Sequence, residues 1–260
     1  MINMAKKNDG NIGILDSGIG GISILRKLEE RLPLENYIYL ADRKNFAYGE
    51  KSKEEIIKIL ENNTDWFLKK RVKIIVIACN TATVNGIYYL RNKYSQIKWV
   101  GLEPAVKPAA AISNKGIMVL SSELTAKSKQ LDKLSKNYGR GKVKYNIGSQ
   151  ELVKAVEDNW SERDLKIVLD KIFTADRISK IDSLVLGCTH FALIKDKISK
   201  YLGNKIKVFD SGEAVARQVE MVLDNNQLIN DSGIKKETEF YSTKGRGEFE
   251  GMKFKTVTRI

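Results

Sequence analysis

Two cysteines, three prolines and a single histidine are all that 260 residues contain of these types. Two cysteines in so long a chain exclude a disulfide scaffold and fit a reducing, cytoplasmic setting. One histidine and no C-x-x-C spacing leave little from which to build a structural zinc site. No apolar run approaches the ~18 residues that a membrane-spanning helix needs, so no membrane partner is expected. The opening MINMAKKNDG lacks the apolar centre of a secretory signal and is not read as one. What is present is ample apolar material: 42% of the residues are hydrophobic, enough for a buried core and too much for a mainly disordered chain. The length fits one large or two modest domains at ~100–200 residues each.

Lys and Arg number 45 against 32 Asp and Glu, a formal net charge of +13. Its distribution decides what the excess means. Lysines are scattered among acidic residues on helical segments, as in 51–61 (KSKEEIIKILE) and 162–171 (ERDLKIVLDK), the pattern of solvated helix faces. The most basic stretch, 133–144 (KLSKNYGRGKVK), reads as a helix end and a turn. No stripe of basic residues interleaved with aromatics is present, so a nucleic-acid partner is not expected. A positive field would still draw in a small anionic substrate.

Short β-branched runs at 11–15, 37–41, 73–78, 97–102, 116–120, 143–147, 182–187 and 206–209 read as strands, and between them apolar residues recur at helical spacing. Along 53–69 the stripe runs through Ile56, Ile59, Leu60, Asn63 and Phe67. Ser52 with Glu55, and Ser161 with Asp164, resemble capping boxes. Alternating helices and near-continuous apolar strands predict an α/β fold with parallel, doubly wound sheets. The strand ends also repeat. Asp16, Asp42 and Cys79 follow the first three strands, and Ser121, Gly148 and Cys188 follow the next three at nearly equal spacing. IVIACNT at 75–81 corresponds to LVLGCTH at 184–190. Two similar units are therefore expected, a first α/β domain over 1–104 plus 210–260 and a second over 105–209. They would face each other across a cleft at the carboxyl ends of their strands, where open α/β sheets bind ligands.

Each cysteine follows an apolar strand and a small residue, Ala78 or Gly187, and precedes polar residues. A free cysteine is often no more than a small buried hydrophobe, which accounts poorly for both thiols sitting at matching strand ends. Such a position also lies at the start of the next helix, whose backbone N–H groups favour a thiolate or a bound carboxylate. Two acid/base thiols on opposite sides of a small substrate are what inversion at a carbon requires, one removing a proton and the other delivering one to the opposite face. A thiol of pKa ~8.5 is mostly protonated at neutral pH, so a helper is needed. Asp16, Glu157 and His190 are the candidates. Three zinc ligands from Cys79, Cys188 and His190, or a redox pair, remain as rival readings of the same atoms.

Residues 12–21 (IGILDSGIGG) form a strand, a glycine-rich turn at Gly18, Gly20 and Gly21, and a helix start. The spacing matches neither G-x-G-x-x-G nor G-x-x-x-x-G-K-[ST]. A carboxylate-sized anion suits the turn better than a nucleotide, with Ser17 and neighbouring amides as donors. Asp16, beside the same turn, could hold an ammonium group or a thiol proton.

Asp16-Ser17-Gly18 with Gly20-Gly21, Tyr48-Gly49, Ala78-Cys79-Asn80-Thr81 and Gly187-Cys188-Thr189-His190 together resemble the cofactor-independent aspartate/glutamate racemase family, in order over roughly residues 11–225, and its glutamate branch more than its aspartate branch. The resemblance implies interconversion of L- and D-glutamate without pyridoxal phosphate or metal, supplying D-glutamate for peptidoglycan. By position it implies Cys79 and Cys188 as the acid/base thiols, the first acting on D-glutamate and the second on L-glutamate. It implies substrate contacts from Asp16, Ser17, Tyr48, Gly49, Asn80, Thr81, Thr125, Thr189 and His190, and assistance to the second thiol from Glu157. A homodimer is compatible with it, as is a preference for aspartate or another small amino acid. The contrasting reading is a non-catalytic anion- or nucleic-acid-binding α/β protein. Where the family carries proline before Tyr-Gly and after the His-aromatic pair, this chain has Ala47 and Ala192. A Gly-Thr pair is replaced by Ser121-Ser122 and a Cys-Pro pair by Ser149-Gln150, which predicts less rigid turns while leaving every proton-transfer position filled.

Overall fold

The computed structural model describes residues 9–203, 205–232 and 234–257, and the chain separates into two compact units. One comprises the residues up to Leu102 together with those from Gly212 onward; the other is Glu103–Ser211.

The first unit begins with four strands, β1 (Asn11–Asp16), β2 (Tyr37–Ala41), β3 (Val72–Ile77) and β4 (Lys98–Gly101), all parallel and ordered β2-β1-β3-β4. The central strands are buried along nearly their whole length, which is why their sequences are unbroken apolar runs rather than alternating ones. Helix Lys53–Lys69 starts at the capping box read from sequence: the Glu55 amide donates to Ser52 Oγ (3.2 Å) and the Ser52 amide to Glu55 Oε2 (2.8 Å). Its buried stripe includes Ile56, Leu60, Asn63 and Phe67.

The second unit holds β5 (Ile117–Ser121), β6 (Val143–Gly148), β7 (Ser183–Gly187) and β8 (Lys207–Phe209), again all parallel, in the order β6-β5-β7-β8. Second-first-third-fourth is thus the strand order in both units. The sequence repeat is a repeat of topology. Val106, Ala109, Ile117, Val119, Leu131 and Val185 lie in one apolar cluster of this unit. Helix Glu162–Ile172 is capped by Ser161, which accepts from the Asp164 amide at 3.2 Å. Here the expected box is incomplete, because the Asp164 carboxylate takes the Ser161 hydroxyl proton (2.7 Å); an aspartate is one carbon shorter than the glutamate of a full box. On the exposed helix faces, Lys127, Lys136, Lys166 and Lys180 each pair with an acidic residue four positions earlier or later, as expected of solvated faces.

Asp182, immediately before β7, gathers the turn that precedes β5. Its carboxylate accepts from the Ser113 hydroxyl (2.6 Å) and the amides of Asn114 (2.7 Å) and Lys115 (2.9 Å). Burial alone would raise its pKa, but these donors outweigh burial and hold the carboxyl well below the usual carboxylate range. A depressed pKa contributes stability that is present above the unfolded value of about 4 and is lost as pH falls below it. Asp182→Asn is accordingly expected to cost about 1–2 kcal/mol at neutral pH in urea unfolding, with the deficit shrinking as pH falls below about 4.

Three strands were not foreseen: β9 (Glu239–Ser242), β10 (Gly247–Phe249) and β11 (Met252–Thr256). β9 joins β2 in parallel, β11 joins β9 in parallel, and β10 closes the edge antiparallel to β11, extending the first unit's sheet to seven strands. Short strands crowded with Lys and Glu are a common dressing for a sheet edge, and the same composition hides them from a hydrophobic pattern. The segment leading to β9 is held at the amino end of the sheet by a buried ion pair. Lys73 Nζ lies 2.6 Å from Glu35 Oε2, with side chains 4% and 2% exposed. Lys73 also donates to the Leu228 carbonyl (2.7 Å), and Glu35 Oε1 accepts from the Asn230 amide (2.8 Å).

Candidate active site

In the first unit the carboxyl ends of β1 and β3 are adjacent, since the Ala78 amide continues the ladder to the Leu15 carbonyl at 2.7 Å. This is the point where the winding of the sheet reverses, the usual ligand position in an open α/β sheet. Asp16 closes β1 and is fully buried; its Oδ1 accepts from the Gly18 amide at 2.7 Å, which shapes the glycine turn. The Tyr39 hydroxyl ties the same turn down through the Gly18 carbonyl (2.8 Å). At Gly21 a Cβ would come within 2.8 Å of Asp16 Cβ and 2.9 Å of Ala78 Cβ, so only glycine lets the following helix press against both strand ends.

Cys79 is buried, extended in backbone, and immediately precedes helix Asn80–Lys93. Its Sγ lies 3.9 Å from Ser17 Oγ, bringing the Asp-Ser-Gly turn to the thiol. Asn80 and Thr81 are buried in the helix's first turn, where the backbone N–H groups and the positive end of the helix dipole favour negative charge. Among the described residues, Asn80 Oδ1 is buried without a hydrogen-bond partner, an acceptor open to a donor.

Tyr48 lies in a 3-10 turn, Tyr48–Glu50, after a cis Phe46–Ala47 peptide. Its hydroxyl donates to Asp42 Oδ2 at 2.6 Å rather than projecting freely. Burial above all, then the Asp42 charge and hydrogen bond and the nearby Cys79 and Asp16, push the phenol's pKa far up, so it stays a donor.

In the second unit Cys188 occupies the corresponding place. β7 ends at Gly187 in register with Ser121 of β5, and Cys188 precedes the short helix Thr189–Leu193. This thiol is partly exposed, unlike Cys79. His190 Nδ1 lies 3.9 Å from Cys188 Sγ, and His190 Nε2 lies 3.0 Å from Glu157 Oε2, with imidazole and carboxylate almost wholly buried. The three form a row of thiol, imidazole and carboxylate, in which the carboxylate fixes the orientation of the ring. Thr189 is buried beside them, and Thr125 is held in place by the Ser122 hydroxyl (3.0 Å).

Two of the substituted turns are held by serine caps. Ser122 caps helix Glu123–Ala126, and Ser149 caps helix Gln150–Glu157 by accepting from the Leu152 amide at 3.1 Å. A serine cap fixes the start of the helix that carries Glu157 by hydrogen bonding where a proline would fix it by its ring. Among the described residues, no group of three or more His, Cys, Asp or Glu is placed to hold a metal ion, and no helix is long and apolar enough to cross a membrane.

Sequence reasoning missed the residues behind Tyr48: Asp42, Asn63 and Thr243. Asn63 did leave a signal, a polar side chain on the apolar stripe of its helix.

The arrangement is matched elsewhere. Residues 19–219 fit the Asp/Glu/Hydantoin racemase family. The chain belongs to that family. Glutamate racemase of Clostridium perfringens is 35% identical over 234 residues, covering 89% of this chain and 90% of that protein. Glutamate racemase of Pseudomonas paraeruginosa is 37% identical over 221 residues, covering 84% and 83%. Among solved structures, the Escherichia coli glutamate racemase in complex with L-glutamate and the activator UDP-MurNAc-Ala superposes with a TM-score of 0.82 at 25% identity, covering 96% of this chain and 99% of that one. The Campylobacter jejuni glutamate racemase superposes with a TM-score of 0.73 at 30% identity, covering 90% and 92%. Membership in the racemase family makes this chain an isomerase of amino-acid type, built on the two-unit α/β fold of those structures.

Proposed function

We propose that this chain interconverts L- and D-glutamate by direct proton transfer at the α-carbon, with Cys79 and Cys188 as the two acid/base groups. The observation that carries the reading is the duplicated placement of the thiols. Each follows the third strand of its unit, beside the end of the first strand and at the start of a helix, and each has a polar companion, Ser17 for Cys79 and the His190–Glu157 pair for Cys188.

One thiolate removes the α-proton as the C–H electron pair passes into the α-carboxylate, giving a planar carbanion. The other thiol then delivers its proton to the opposite face. The second sulfur ends as a thiolate and the first as a thiol, so the reverse reaction exchanges their roles. Charge developing on the α-carboxylate needs fixed donors. Ser17, the Tyr48-Gly49 turn, Thr81, Thr125 and Thr189 supply hydroxyls and amides for two carboxylates, while Asp16, His190 and the unpartnered Asn80 Oδ1 suit the ammonium side. Neither pyridoxal phosphate nor a metal is needed for these steps. The reaction would supply D-glutamate for peptidoglycan in the cytoplasm, the compartment that suits two free thiols.

The test is incubation of L-glutamate with the protein in deuterated water, without added cofactor, and with L-aspartate in parallel. Circular dichroism decaying to zero, with deuterium at the α-carbon of glutamate, is the expected result. Racemisation of aspartate alone would move the substrate assignment, and no α-exchange in either would overturn the reading.

The helper at Cys188 makes a further prediction. Glu157→Gln keeps size and removes the charge that orients and stabilises the imidazole. The expected outcome is a fall in kcat of about 10²-fold in a racemisation assay, with the melting temperature changed by only a few degrees.

A further inference from the structure

Asp42 is fully buried at the end of β2, and it collects donors from three separate parts of the first unit. The Tyr48 hydroxyl donates to Oδ2 (2.6 Å), and Asn63 Nδ2 donates to the same oxygen (3.2 Å) and to the Tyr48 hydroxyl oxygen (3.2 Å). Asn45 Nδ2 lies 3.0 Å from both carboxylate oxygens. The remaining donor comes from far along the chain: Thr243 Oγ1, just past β9, donates to Oδ1 at 2.8 Å and accepts from the Lys44 amide at 2.9 Å. A buried carboxylate needs its oxygens filled, and here each donor also restricts where the carboxylate can point.

We infer that Asp42 and Thr243 are positioning residues for the substrate turn, with the residue that follows β9 setting, through Asp42, where the Tyr48-Gly49 backbone lies. This rests on the proposed role of that turn in holding a substrate carboxylate. Because the Tyr48 hydroxyl is already committed to Asp42, the residue's contribution to a ligand is the placement of the turn rather than its phenol. The strands that cover the sheet edge therefore have a second role, since β9 runs beside β2 and ends where Asp42 begins the loop. The hydrogen bonds of Thr243 run to Asp42, the Lys44 amide and the Ala41 carbonyl, so its removal is expected to act on binding common to ground and transition states and to be read in KM rather than kcat.

The experiment compares Thr243→Val, which keeps shape and removes the hydroxyl, with Thr243→Ser, which keeps the hydroxyl. Tyr48→Phe severs the network at its other end and provides the second route should the valine variant fail to fold. On wild-type protein that racemises glutamate, Thr243→Val and Tyr48→Phe are expected to raise KM about five- to tenfold with kcat within about twofold, and Thr243→Ser to restore wild-type KM. Hydrogen–deuterium exchange supplies a readout that needs no turnover: amides of residues 46–50 exchange faster in Thr243→Val and at the wild-type rate in Thr243→Ser, while β5 is unchanged. Equal KM and equal exchange in wild type and Thr243→Val, or identical behaviour of the valine and serine variants, would overturn the inference. A wild-type protein inactive on glutamate would instead overturn the substrate assignment, and the exchange comparison would still decide the role of Thr243.

Discussion

Replacing either Cys79 or Cys188 by serine is expected to lower glutamate racemisation by about 10³-fold or more, with folding intact. The loss should be equally severe for both because inversion needs a proton removed from one face and a proton given to the other. A hydroxyl matches the thiol in shape but is a far weaker acid, so it is neither a usable base nor a fast donor at neutral pH. The surroundings differ, one thiol buried beside Ser17 and the other partly exposed beside His190. The equilibrium constant for racemisation is fixed at unity, however, so a defect on one side lowers kcat/KM in both directions alike. Polarimetric or circular-dichroism progress curves from both enantiomers check this. A variant that kept a rate within tenfold of wild type would show that its thiol is not in the proton path.

The second large effect concerns stability. Lys73→Met leaves Glu35 charged, nearly inaccessible to water and without its cation, which is expected to cost about 3–5 kcal/mol in urea unfolding of the first unit. The pairing is worth much less than that in net terms, because burying both ions is itself expensive. The double variant Lys73→Met/Glu35→Gln should therefore be more stable than Lys73→Met alone, the amide still accepting from the Asn230 backbone. Non-additivity of this sign is the signature of an uncompensated charge rather than of lost packing. A Lys73→Met protein within 1 kcal/mol of wild type would contradict the role assigned to the pair.

The parallel strands were legible because burial on both faces forces continuous apolar runs, as in IIVI at 74–77 and LVL at 184–186. The thiol sites were legible for a related reason: where an apolar strand stops and a helix starts, a small residue followed by Cys and a polar pair stands out, and it did so twice. Helix Lys53–Lys69 was readable from its cap and its stripe. β9 to β11 were not, since they are short and β11 (MKFKT) alternates charge with single apolar residues, leaving no run to detect. Nor was the hydrogen bond of Glu157 to His190, because two residues 33 positions apart leave no local pattern. The link from Thr243 to Asp42 spans 201 residues and exists only once β9 has docked on β2.

The most direct test of the two-thiol account uses each cysteine variant in deuterated water with each pure enantiomer. A surviving thiol can still remove and return a proton on its own face, and exchange of that proton with solvent labels the α-carbon without inverting it. The account predicts that Cys188→Ser slowly labels D-glutamate and leaves L-glutamate unlabelled, and that Cys79→Ser does the reverse. Labelling of the same enantiomer by both variants, or of both enantiomers by either one, would contradict the assignment of one thiol to each enantiomer.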